Sequence, residues 1–96
     1  MRTLQEIKNK LSAHKEELMA KYPIKRMAVF GSYSRDEQDE ASDVDIMVEF
    51  NDKIGIQFID LAEELEKIIG FKVDLVSKNG IKEKYFKVIN DDLIYV

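Results

Sequence analysis

The sequence predicts one α/β domain, of the α+β kind, with a small mixed β-sheet flanked by helices. Two observations carry that expectation. Apolar residues recur at helical spacing in some stretches and at strand spacing in others, and the two kinds alternate along the chain as α-β-(α)-β-α-β-α-β. The 96 residues are enough for one modest core and contain no repeat, low-complexity run or linker, so residues 1–96 are read as a single domain.

The elements follow in order. Thr3-Leu4-Gln5-Glu6 fits a capping box, with Thr3 as N-cap and Glu6 at the third helical position. Leu4, Ile7, Leu11, His14 and Leu18 then recur at helical spacing, giving a helix from Leu4 to Lys21 that Pro23 stops. His14 falls on or beside the apolar stripe and is read as a packed or half-exposed side chain. Ile24 to Phe30 is short and apolar and runs into Gly31-Ser32, as a strand entering a tight turn does. Ser34 to Gln38 is expected to form a short helix with Ser32 or Ser34 at its start. Tyr33 is read either as an exposed turn residue or as a stacking platform for a nucleotide base.

Val44, Ile46, Val48 and Phe50 alternate with Asp45, Met47 and Glu49, which makes a second strand with one strongly apolar face. Asn51 to Gly55 is a loop. Ile56 to Ile69 shows a broad apolar helical face, and Gly70 closes it. Phe71 to Val76 is a third strand, and Asn79-Gly80 a turn. Ile81 to Asn90 is expected to be a helix with Ile81, Tyr85, Val88 and Ile89 inward, and Leu93 to Val96 a short terminal strand.

Composition excludes several functions. There is no cysteine, which excludes disulfides and thiolate zinc sites, and the lone His14 speaks against a histidine-based metal site or a serine–histidine–aspartate triad. No segment approaches the ~18 apolar residues that span a bilayer, and the N-terminal MRTLQEIKNK lacks the apolar core of a signal peptide, so a cytoplasmic protein without membrane contact is expected. A net charge of −4 speaks against direct nucleic-acid binding. The charge is uneven: six acidic residues lie between Asp36 and Asp45, while seven of fifteen basic residues precede position 27 and four lysines lie at 78, 82, 84 and 87.

The acidic stretch is where chemistry concentrates. Strand alternation puts Asp43 and Asp45 on the same side of the second strand, about 7 Å apart at the backbone. Two carboxylates so close repel unless a cation joins them, and hard oxygen ligands suit Mg²⁺. Asp74 interrupts the apolar run Val73 to Val76, where an aspartate has poor strand propensity, and it faces the other two if its strand lies beside Val44–Phe50. Across from the acids, Gly31 allows close backbone approach. The Ser32 hydroxyl and N–H groups opening a helix can hold phosphate oxygens, and Arg35 can neutralise phosphate charge. Ser42 either caps the loop before Asp43 or contributes to the site. A nucleotide triphosphate with two Mg²⁺ ions bridges these two halves naturally.

At these residues the chain resembles the minimal nucleotidyltransferases (MNT) of the DNA polymerase β superfamily. The family pattern is Gly-Ser, ten residues, then Asp-x-Asp, met here by Gly31, Ser32, Asp43 and Asp45. The leading helix, Ser42, the intervening helix and Asp74 extend the likeness over nearly the whole chain. One departure is Asp36, where many relatives have glycine. The resemblance implies a polymerase-β-like nucleotidyltransferase fold in which the first two aspartates hold Mg²⁺, the third completes the metal site and assists deprotonation of the acceptor, and the glycine and serine hold ATP. Free-standing members of this size resemble the antitoxin half of HEPN/MNT toxin–antitoxin pairs, transferring AMP from ATP to a tyrosine of a HEPN-domain ribonuclease toxin. Two alternatives stay open: a non-enzymatic antitoxin subunit that blocks its partner, and the catalytic subunit of a small-molecule nucleotidyltransferase whose acceptor-binding domain is a separate chain. Homo-oligomerisation and the identity of the nucleotide are open as well.

Overall fold

A computed structural model of the chain describes residues 3–96. Helix α1 (Leu4–Lys21) begins as its capping box predicts: the Thr3 hydroxyl accepts the Glu6 N–H at 3.2 Å. Strands β1 (Ile24–Phe30) and β2 (Val44–Phe50) follow. Helix α2 (Gln57–Ile69) ends on Gly70, whose N–H donates to the Glu66 carbonyl at 2.7 Å. Strand β3 (Val73–Ser77), helix α3 (Glu83–Ile89), a single 3₁₀ turn (Asn90–Asp92) and strand β4 (Ile94–Tyr95) complete the chain.

The four strands form one mixed sheet in the order β3-β2-β1-β4. β2 lies antiparallel to β1 and parallel to β3, because the α2 crossover returns the chain to the same end of the sheet. β4 pairs antiparallel with the outer side of β1, Ala28 opposite Tyr95 and Val29 opposite Ile94.

The core sits where α1 and α2 meet one face of the sheet. Ile7, Leu11 and Leu18 of α1 and Leu61, Leu65 and Ile69 of α2 are buried together with Met27, Val29, Val44, Ile46, Val48, Phe50 and Val73. At roughly 1.5–3 kcal/mol for each fully buried large apolar side chain, this layer is what holds the sheet's register. Asp45, Met47 and Glu49 point to the opposite face by alternation, so fixing the core fixes where the carboxylates go.

Three expectations need correcting. Ser34 to Gln38 is not a helix: a tight turn runs from Gly31 to Asp36, and Glu37 and Gln38 are irregular. The cause is Asp36, whose φ of +57° is left-handed and interrupts a right-handed helical path. Helix α3 is shorter than expected and partly rotated: Ile81 and Ile89 are half-buried as expected, but Tyr85 and Val88 are 54% and 74% exposed and Phe86 takes the half-buried place beside Ile89. Lys82 is extended (φ −68°, ψ 143°), so the helix starts after it, and Ile81 does not set its phase. Tyr33 is neither exposed nor open to a base: it is 1% exposed and stacks on Phe71, ring centres 6.1 Å apart. His14 is half-buried, as expected, with Nδ1 3.0 Å from the Lys10 carbonyl.

Candidate active site

Parallel pairing of β2 with β3 puts Asp45 directly beside Asp74 in register. Register partners in a sheet share a face, so the two carboxylates are neighbours. Asp43, two residues before Asp45, stands at the same strand mouth. The buried residues Val44 and Ile46 alternate with these acids, and Val73 and the half-buried Leu75 flank Asp74, so core packing drives all three to the open side.

Electrostatics tell this group apart from an ordinary acidic surface. The Asp45 carboxyl is pushed up to about 6 by burial first, then by the negative charge of Asp74 and Asp43, against a smaller opposing pull from Arg35. Glu49 lies four residues further along the same face and has the opposite surroundings. Arg26 Nε is 2.7 Å from its carboxylate, Lys78 Nζ 3.5 Å and Lys25 Nζ 3.9 Å. Burial raises its pKa, yet Arg26, Lys78 and Lys25 outweigh burial and hold it below the usual range. Among the described residues, Asp43, Asp45 and Asp74 have no cation within 4.0 Å. One strand therefore neutralises the carboxylate at one end and leaves a repelling trio at the other.

The turn after β1 closes against this trio. Gly31 has φ +75°, and a Cβ built there would run into the Asp45 carboxylate, 3.1 Å from its Cγ. Glycine is required twice over, by the backbone angle and by the carboxylate against it. The turn uses much of its own donor capacity. The N–H groups of Ser34 and Arg35 donate to the Gly31 carbonyl, that of Asp36 to Tyr33 and that of Glu37 to Ser32. These are the groups a helix start was expected to offer to phosphate, and the turn's own carbonyls occupy them.

Arg35 is held beside this turn by two ion pairs, one of them to a residue 57 positions away. Its Nη1 donates to Asp92 Oδ2 at 2.7 Å and its Nε to Glu37 Oε1 at 3.1 Å. Ser42 caps the loop before Asp43: its hydroxyl accepts the Asp39 N–H at 3.0 Å and donates to Asp39 Oδ1 at 3.3 Å.

The donor set fits divalent magnesium in kind: three carboxylates, no soft ligand, and mutual repulsion that a cation would relieve. The register brings Asp45 and Asp74 side by side. Among the described residues, however, no three acidic or histidine side chains are drawn tightly enough together to form a finished metal-ligand cluster.

Comparison with known proteins gives a consistent result. Residues 11–95 match the family model described as nucleotidyltransferase domain. A protein of Methanocaldococcus jannaschii, named as a candidate protein adenylyltransferase, is 51% identical over the full length of both chains. A protein adenylyltransferase of Thermococcus cleftensis is 43% identical over all of this chain and 98% of its own. Among solved structures, a candidate minimal nucleotidyltransferase superposes with a TM-score of 0.73 at 30% identity, over 90% of this chain and 92% of that one. The fold also matches, with a TM-score of 0.70 at 23% identity over 95% of this chain and 69% of the other, a chain from the complex of a tri-AMPylated Shewanella oneidensis HEPN toxin with its MNT antitoxin.

Proposed function

Because the chain belongs to the nucleotidyltransferase domain family, we propose that it transfers AMP from ATP to a tyrosine hydroxyl of a HEPN ribonuclease toxin and acts as that toxin's antitoxin. The names of its full-length relatives support protein adenylylation. The observation that carries the reading is the contrast along β2: Glu49 is neutralised by three basic residues, whereas Asp45, with Asp74 in register and Asp43 beside it, is left to repel.

In this proposal Asp43, Asp45 and Asp74 hold two Mg²⁺ ions, which when bound compensate the charge on the entering and leaving oxygens. Gly31 lets the turn approach the nucleotide, Ser32 binds triphosphate oxygens, and Arg35 offsets their charge. Ser42 anchors the loop that presents Asp43. The acceptor oxygen forms a bond to the α-phosphorus of ATP in line with the bond to the bridging oxygen, which breaks and releases pyrophosphate. The hydroxyl proton passes to Asp74, the exposed member of the trio. Residues 1–96 act as one domain, and no described helix is long and apolar enough to cross a membrane. We place the reaction in the cytoplasm.

The test uses the protein together with its co-purifying partners, Mg²⁺ and ATP labelled at the α-phosphate. Label on a partner tyrosine, absent with Asp43→Asn/Asp45→Asn, is the expected result. Label on a small metabolite would mean a separate acceptor-binding chain. Absence of label, with partner binding undiminished in the double variant, would mean a non-enzymatic antitoxin.

A further inference from the structure

Arg35 and Asp92 are 57 positions apart, yet they meet beside one end of β1. β1 carries the Gly31–Glu37 turn at its C-terminal end. β4 pairs antiparallel with β1 at Val29 and Ala28, so the 3₁₀ turn leading into β4 arrives beside that same end. Arg35 is tied to the glycine of the site by its own N–H, which donates to the Gly31 carbonyl at 3.2 Å. Its guanidinium then meets two carboxylates. Glu37 is a solvated one, 63% exposed; Asp92 is 26% exposed and gives the shorter contact, 2.7 Å against 3.1 Å.

We infer that Asp92 is a positioning residue for the nucleotide site: its carboxylate holds the Arg35 guanidinium at the rim so that the remaining N–H donors meet the triphosphate. A guanidinium has five N–H donors in a planar fork, and the two ion pairs use one on Nε and one on Nη1. Three are left for phosphate oxygens, in an orientation fixed before the nucleotide arrives. The pull of Arg35 on the Asp45 carboxyl places its charge within the field of the site. An ordinary surface ion pair would add little to stability and nothing to binding. The inference rests on reading the Gly31–Glu37 turn as the triphosphate site.

The two roles differ in sign. Asp92→Asn removes a negative charge near a polyanion, so Coulomb's law alone makes MgATP bind more tightly; loss of positioning makes it bind more weakly. Dissociation constants for MgATP are measured by calorimetry well below each protein's melting temperature. The proteins are wild type, Asp92→Asn, Asp92→Glu, Arg35→Gln and the Arg35→Gln/Asp92→Asn pair. The expected result is a roughly 5- to 20-fold weakening in Asp92→Asn. Asp92→Glu should largely restore affinity, and Asp92→Asn should weaken binding no further once Arg35 is gone. Unchanged or tighter binding in Asp92→Asn, with or without a lower melting temperature, overturns the inference and leaves the nucleotide site standing. A wild-type protein that does not bind MgATP overturns both.

Discussion

Replacing Asp45 with asparagine should stabilise the metal-free protein at neutral pH. The Asp45 carboxyl rises from 3.8 to about 6 through burial and then through the charges of Asp74 and Asp43. Between those values the folded chain keeps a proton that the unfolded chain releases. Asp45 therefore favours folding most below the lower value, and this contribution falls as pH rises to the upper one. At ~1.36 kcal/mol per pH unit the whole rise would cost ~3 kcal/mol at neutral pH, and water reaching this half-buried group reduces the cost to ~1–2 kcal/mol. Asparagine keeps the shape that fits against Gly31 and removes the charge. For a domain of this size the gain is a melting temperature higher by about 5–10 °C. Thermal unfolding followed by circular dichroism in chelator, from about pH 3 to pH 8, reads it directly. The variant's advantage should vanish at the acid end, where the parent's carboxyl is already protonated. A variant no more stable than the parent at the alkaline end, or an advantage constant across the range, would refute the repulsion argument.

Other perturbations follow from the same geometry. Gly31→Ala brings a methyl group against the Asp45 carboxylate at a residue with φ +75°. It should cost ~1–3 kcal/mol in urea unfolding and weaken MgATP binding. Asp36→Gly relieves a left-handed residue at φ +57° and should gain ~0.5–1 kcal/mol in the same assay. Adding Mg²⁺ with ATP should raise the melting temperature of the parent by mass action, and the shift should disappear in Asp43→Asn/Asp45→Asn.

What could be read from the chain beforehand depended on the length of the pattern. α1, β1, β2, α2 and β3 each carry several periods of apolar repeat, and each lies within two residues of where the periodicity puts it. The acids were legible for the same reason. Alternation fixes Asp43 and Asp45 to one face, and an aspartate in an otherwise apolar strand marks Asp74; the βαβ crossover then supplies the register. Short segments were harder. Helix α3 has seven residues, and both Tyr85/Val88 and Phe86/Ile89 make a plausible stripe; only the extended Lys82 decides between them. Nothing local distinguishes a helix from a turn at Ser34–Gln38 until the left-handed angle at Asp36 is known. The burial of Tyr33 and the pairing of Asp92 leave no local signal because their partners, Phe71 and Arg35, are remote in sequence. Asp36 itself became interpretable: a position where relatives often have glycine is one that needs positive φ, and aspartate is among the few other residues that tolerate it.

The most direct measurement pairs two labels on one reaction. The protein, its acceptor and Mg²⁺ are incubated with ATP labelled at either the α- or the γ-phosphate, in parallel with Asp43→Asn, Asp45→Asn and Asp74→Asn. Label in the acceptor from the α position only, with pyrophosphate released and each variant inactive although folded, is the outcome the carboxylate trio requires. Label from the γ position, or full activity in Asp74→Asn, would contradict it.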